Sequence, residues 1–140
     1  MSTVLDTPHL QLRPEAPEQD HLREKSPADL WVDGFLIVHR ESGKVIGTAA
    51  FKGPPDAEGV VELAYGIVRV CEGRGYATEA AAALTAFASG IPAVRRVRAH
   101  TLPGANASTR VLSKCGFALI GEVTDPEDGL VWRWERDAAE

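Results

Sequence analysis

Between Val61 and Ala80 the chain reads VELAYGIVRVCEGRGYATEA, and this stretch constrains the fold more than any other. Val61, Leu63, Tyr65 and Ile67 alternate with Glu62, Ala64, Gly66 and Val68, the period of a strand with two distinct faces. The period breaks at Cys71-Glu72-Gly73-Arg74-Gly75-Tyr76, whose glycines can take backbone angles closed to other residues. Ala77, Thr78 and Glu79 then begin an alanine-rich run through Ala88, with Gly90 and Pro92 behind it as stop signals. A strand feeding a glycine turn feeding a helix start leaves unpaired amides aimed the same way as the positive end of the helix dipole. Such a turn cradles anions, and a phosphate-bearing cofactor is expected there. The alternative is that Gly73 and Gly75 only make a tight connection. The stretch is not a dinucleotide fingerprint, since a third glycine is missing, and no Lys-Ser/Thr follows Gly75 as a P-loop requires.

A chain of 140 residues with 44% hydrophobic content suits a single domain, 1–140, around one core. No apolar run is long enough to span a bilayer, and residues 1–6 lack a basic region followed by an apolar one, so a cytoplasmic location without membrane contact is expected. Cys71 and Cys115 are the only cysteines and form no C-x-x-C pair, which argues against both a disulfide framework and a metal site. A net charge of -5 argues against a nucleic-acid groove and is compatible with a cationic acceptor. The basic residues Arg95, Arg96 and Arg98 interleave with Val94, Val97 and Ala99, which reads as a solvated strand edge.

Elsewhere, TPHLQLR at Thr7 to Arg13 alternates as a short first strand. Pro14 to Asp29 is charged and proline-bearing, with room for a short helix over Glu18 to Lys25. Phe35 to His39 and Lys44 to Phe51 flank the glycine-closed Arg40 to Gly43 and predict an antiparallel hairpin. After the Ala77 to Ser89 helix, Ala93 to Thr101 suits a strand parallel to the central one. Asn106 or Ser108 can cap a helix over Thr109 to Lys114, closed by Gly116. Phe117 to Glu122 and Leu130 to Glu135 predict two last strands, and Arg136 to Glu140 a frayed tail.

VELAYGI, GRGYATEA, NASTRVLSKCGF and the early TPHLQLRP, in this order and spacing, resemble the acetyl-CoA-dependent GNAT N-acetyltransferases, most closely their ribosomal-protein-alanine (Rim-type) branch. The resemblance implies an α/β (α+β) fold with a mixed, mostly antiparallel central sheet, helices on both faces and, here, a shortened N-terminal helical region. It implies acetyl transfer from acetyl-CoA, without metal, to a primary amine: a protein N-terminal α-amine or a small molecule. The short Pro14 to Asp29 interval would leave the acceptor side wide or completed by a partner subunit in a homodimer.

By the same resemblance the pyrophosphate would sit on the amides of Gly73, Arg74, Gly75, Tyr76 and Ala77. The strand end Ile67, Val68 and Val70 would bond the pantetheine arm in a slot opened by a bulge, with an amide near Ile67 or Val68 as oxyanion donor. Glu62 would be the general base. Tyr76 either covers the phosphates or packs, and Asn106 either contacts the cofactor or only caps its helix. Relatives carry a tyrosine, as acid for the leaving thiolate, where this chain has Leu112, so Ser108 is the substitute; Cys71 and Cys115 are packing residues. Glu72 stands where the family has Gln or Arg, and with Leu112 it motivates an alternative, a non-catalytic acyl-CoA-binding or sensing module.

Overall fold

The computed structural model describes residues 4–14, 31 and 34–138. Its centre is a meander of five strands: β1 (Leu5–Asp6), β2 (Leu10–Pro14), β3 (Phe35–His39), β4 (Val45–Phe51) and β5 (Val60–Ile67), each antiparallel to its predecessor. Helix α1 (Tyr76–Ser89) then carries the chain over to β6 (Arg96–Thr101), which lies parallel to β5. A parallel return needs a crossover of about a dozen residues, and the 14-residue α1 provides it. After α2 (Ala107–Lys114) come β7 (Ala118–Asp125) and β8 (Gly129–Asp137). The sheet order is β1-β2-β3-β4-β5-β6-β8-β7, mixed and mostly antiparallel as expected.

Strand β8 slips between β6 and β7 because its side chains are the ones that can be buried. Val131 and Trp134 are sequestered, whereas β7 exposes Leu119 and Ile120 and takes the edge. Strand β6 is therefore interior, which corrects the reading of its arginines as a solvated edge. Arg96 pairs with Asp137 (3.1 Å) and Glu135 (3.5 Å), and Arg98 with Glu135 (2.7 Å), all on β8. The tail is also corrected: Arg136 and Asp137 continue the β8 ladder opposite Val97 and Arg96, and the Ala138 amide bonds the Arg95 carbonyl. At the other end, the strand expected over Thr7 to Arg13 begins only at Leu10, after a turn in which the Thr7 amide donates to the Leu10 carbonyl and the Leu10 amide to the Thr7 hydroxyl oxygen.

The core lies between the sheet and α1. Leu10, Leu12, Phe35, Ile37, Val61, Leu63 and Val97 share the core with Ala80, Ala81, Leu84 and Ala88, and the three alanines let the helix lie close to the strands. Val111 and Leu112 extend the core under α2. Trp31 stacks edge-on against Phe51 at 4.7 Å. The short helix expected over Glu18 to Lys25 and the shortened helical region fall outside the described residues.

Candidate active site

Strand β5 ends at Ile67, and a 3-10 turn over Arg69–Cys71 follows, closed by the Cys71 amide on the Val68 carbonyl at 2.9 Å. Two steps later Gly75 caps α1 with φ 83°, left-handed backbone that suits glycine, and contributes no side chain to the cap. No side chain caps the first amides of α1, and Gly75, Tyr76, Ala77 and Thr78 line a cavity of about 430 Å³. Ile67, Gly73, Gly75, Tyr76, Ala77 and Ser108 of the expected set line it, together with Glu72 and Tyr65.

The wall toward β5 is an unpaired strand edge. Val68 N donates to Ile46 O (2.8 Å) and Lys52 N to Glu62 O (2.9 Å), so the even-numbered residues of β5 turn their backbone groups to β4. Residues 63, 65 and 67 must then face β6. The β5–β6 ladder, however, runs only from Val60–Arg96 through Val61–Val97 to Glu62–Arg98. Beyond it the strands part: the Glu62–Arg98 pair uses the Leu63 amide, and the edge from the Leu63 carbonyl to Ile67 has no partner strand. The expected slot is present, yet the β4–β5 register from Gly47–Ile67 to Phe51–Leu63 contains no bulge; β6 simply leaves.

Several expectations change at this level. The Val68 amide is consumed by Ile46 and cannot serve as oxyanion donor, which leaves Ile67 and, equally placed, Tyr65. Val70 lies in the 3-10 turn, 81% exposed, and does not extend the strand edge. Arg74 is exposed and outside the cavity lining. The Asn106 side chain is committed to its cap: Oδ1 accepts from Thr109 N at 3.0 Å, and Nδ2 donates to the Leu102 and Gly104 carbonyls. The Tyr76 hydroxyl lies 3.2 Å from His39 Nε2 and its ring packs on His39, so its packing role is visible.

A second, smaller cavity of about 150 Å³ adjoins, lined by Glu62, Ser108, Lys52, Leu63, Tyr65 and His100 among others. Tyr65 and Ser108 line both cavities. Glu62 is held from two sides: His100 Nδ1 lies 2.8 Å and Lys52 Nζ 3.2 Å from its Oε2. Burial pushes the Tyr65 phenol well above its ordinary value, with Cys115 adding to the effect, so it stays protonated between the cavities. Burial likewise raises the Cys115 thiol, against the pull of Arg136, and keeps it un-ionised.

Tyr65, Lys52, His100, Arg110 and Lys114 of these cavities were not anticipated. Arg110 and Lys114 line the larger one, and their i, i+4 spacing on α2 was a readable signal for one basic face. Lys52 and His100 reach Glu62 through strand register, which no local pattern reports.

Residues 8–118 match the acetyltransferase (GNAT) domain family. The chain belongs to the GNAT acetyltransferases. It is 30% identical over 87 residues to YjdG of Bacillus subtilis (strain 168), an uncharacterised N-acetyltransferase; the match takes in 62% of this chain and 52% of that protein, so the chain spans about half of its relative's length. The fold is similar to that of a ribosomal-protein-alanine acetyltransferase from Vibrio fischeri, with a TM-score of 0.78 at 15% identity over 99% of this chain and 98% of the other. It is also similar to RimL, a ribosomal-protein α-N-acetyltransferase solved with coenzyme A, at a TM-score of 0.76 and 15% identity over 96% and 98% of the two chains. As a GNAT domain, this one has its strand edge, glycine turn and helix start in one cavity.

Proposed function

We propose that the chain is an acetyl-CoA-dependent N-acetyltransferase that passes the acetyl group directly to a primary amine. One observation carries this reading: the unpaired edge of β5 leads at one end to the open amides of α1 and at the other to a carboxylate, with Tyr65 and Ser108 shared between the two cavities. The residues fit acyl-CoA in kind. The α1 N-terminus and the cations of Arg110 and Lys114 suit phosphates, and the edge amides suit an amide-rich arm added as a strand. When bound, acetyl-CoA supplies a thioester, an acyl group already activated toward amines.

The chain's own residues then have separable tasks. The amides of Tyr65 and Ile67 are the donors available to a carbonyl lying along the edge. Glu62 takes the proton from the incoming ammonium. Ser108 brings a hydroxyl to the junction, where a leaving thiolate can be protonated; thiolates leave readily, so this help is modest. The acceptor is a protein N-terminal α-amine or a small-molecule amine, the former supported by the Rim-type likeness. A cytoplasmic setting agrees with two free thiols, and the reading includes one catalytic unit over 1–140 that can pair as a homodimer.

The test is thiol release from acetyl-CoA against a panel of amines and peptide N-termini. Glu62→Gln should lower kcat by about 10²-fold or more with acetyl-CoA affinity unchanged, and high pH should restore part of the rate by supplying free amine. Wild-type turnover across the pH range would remove Glu62 from the chemistry. A second reading, a non-catalytic acyl-CoA-binding module, is favoured by Glu72 in the cavity lining and by Leu112, which is fully buried. Calorimetric binding without transfer to any amine would select it.

A further inference from the structure

We propose that His100 is a positioning residue for Glu62, locked in one tautomer by Arg133, and that it aims the free oxygen of the carboxylate at the acceptor amine. The proposal rests on Glu62 being the base. His100 of β6 lies directly opposite Arg133 of β8, whose Nε is 3.1 Å from His100 Nε2. A guanidinium has protons to donate and no lone pair to offer. Nε2 must therefore accept, and the hydrogen-bond network places the ring proton on Nδ1. That proton points at Glu62 Oε2, 2.8 Å away.

Lys52 Nζ reaches the same Oε2 at 3.2 Å, and no described residue donates to Oε1. Two donors on one oxygen fix the carboxylate plane and leave the other oxygen to receive a proton. The side chains of His100 and Glu62 are only 15% and 23% exposed, so water competes weakly for their bond, whereas the Lys52 side chain is 53% exposed and holds the carboxylate less firmly. The charged groups around the imidazole come from four elements: Lys52 just beyond β4, Glu62 on β5, Arg133 on β8 and Asp125 at the end of β7, whose carboxyl is held low chiefly by the Asp128 and Glu127 amides and to a lesser extent by Lys52 and His100. Such an outer partner does for a base what second contacts do for metal-binding groups, where it sets orientation and its loss costs roughly ten- to a hundredfold in metal affinity or activity.

The test compares substitutions that differ in which donor they keep. An asparagine amide occupies the place of Nδ1 and a glutamine amide that of Nε2. His100→Ala and His100→Gln should lower kcat about tenfold with KM for acetyl-CoA unchanged, and His100→Asn should recover most of the loss. Equal losses in all three, or losses that follow the melting temperatures of the variants, would reduce His100 to a structural link and overturn the proposal. A readout without substrate is nitrogen NMR of the imidazole: Nδ1 protonated and Nε2 bare is expected, Arg133→Met should relax that preference, and the opposite tautomer in the wild type would also overturn it. If Glu62→Gln keeps full turnover, the base reading itself has failed, an outcome distinct from full activity in His100→Ala alone.

Discussion

Glu72 faces the same cavity as the open end of α1, where a carboxylate repels any phosphate, and Arg110 and Lys114 stand in that lining as the offsetting charges. Glu72→Arg should therefore tighten coenzyme A binding roughly three- to tenfold, the gain shrinking as salt is raised. Arg110→Ala and Lys114→Ala should each weaken binding by a similar factor and flatten its salt dependence. Calorimetry at two ionic strengths checks all three, and unchanged affinities would place the phosphates elsewhere. Gly75 is a poorer probe of charge, because any side chain at φ 83° strains the backbone before its chemistry is felt. At this scale the sequence was partly legible. Glu62 and Ser108 sit inside contiguous motifs, and the structure puts both on one cavity. His100 and Lys52 acquire their part only by lying across from residues far along the chain. Asn106 could be read two ways because one side-chain oxygen suits either a cap or a ligand, and the local geometry uses it as the cap.

Among the elements, the β1–β2 turn is pinned to α1 by one carboxylate. Glu79 accepts from the Thr7 hydroxyl, from the His9 amide at 2.8 Å and from His9 Nδ1 at 3.0 Å. Burial alone would raise its carboxyl, but these bonds together outweigh burial and hold it below the ordinary value. A carboxyl depressed in the folded state stabilises fully above its unfolded value of about 4.3, and that contribution is lost as pH falls through the folded value. Glu79→Gln should cost about 1–2 kcal/mol of unfolding free energy at pH 7, the gap from wild type closing as the pH drops below about 4. Urea melts at the two pH values check this; a constant gap would mean the carboxylate charge is irrelevant. Elements with a clear period, such as β3, β4, β5 and α1, were legible almost to the residue. The insertion of β8 between β6 and β7 was not, since strand order follows from which distant faces bury together. Misplacing β6 at an edge came from the same gap, and only the partners on β8 explain Arg96 and Arg98.

For the molecule as a whole, the sheet consists of two sets, β1 to β5 and β6, β8 and β7, joined along the backbone by the short β5–β6 ladder and bridged by α1. A ligand laid along residues 63–67 would act as the absent strand. Coenzyme A at a hundred times its Kd should then raise the unfolding free energy by about 2.7 kcal/mol. Amide exchange should slow most at residues 65 and 67. Slowing confined to α1 would mean that only the phosphates are held.

That short ladder also bears on how the chain comes apart. Partial opening needs few broken bonds where two sets of strands share few pairs, and apart from the ladder of the terminal β1 none is shorter than that of β5 and β6, so the free protein should fluctuate as two cooperative units with the boundary there. A bound acyl carrier would fuse them into one, and the binding step would become the event that completes the folding of the sheet.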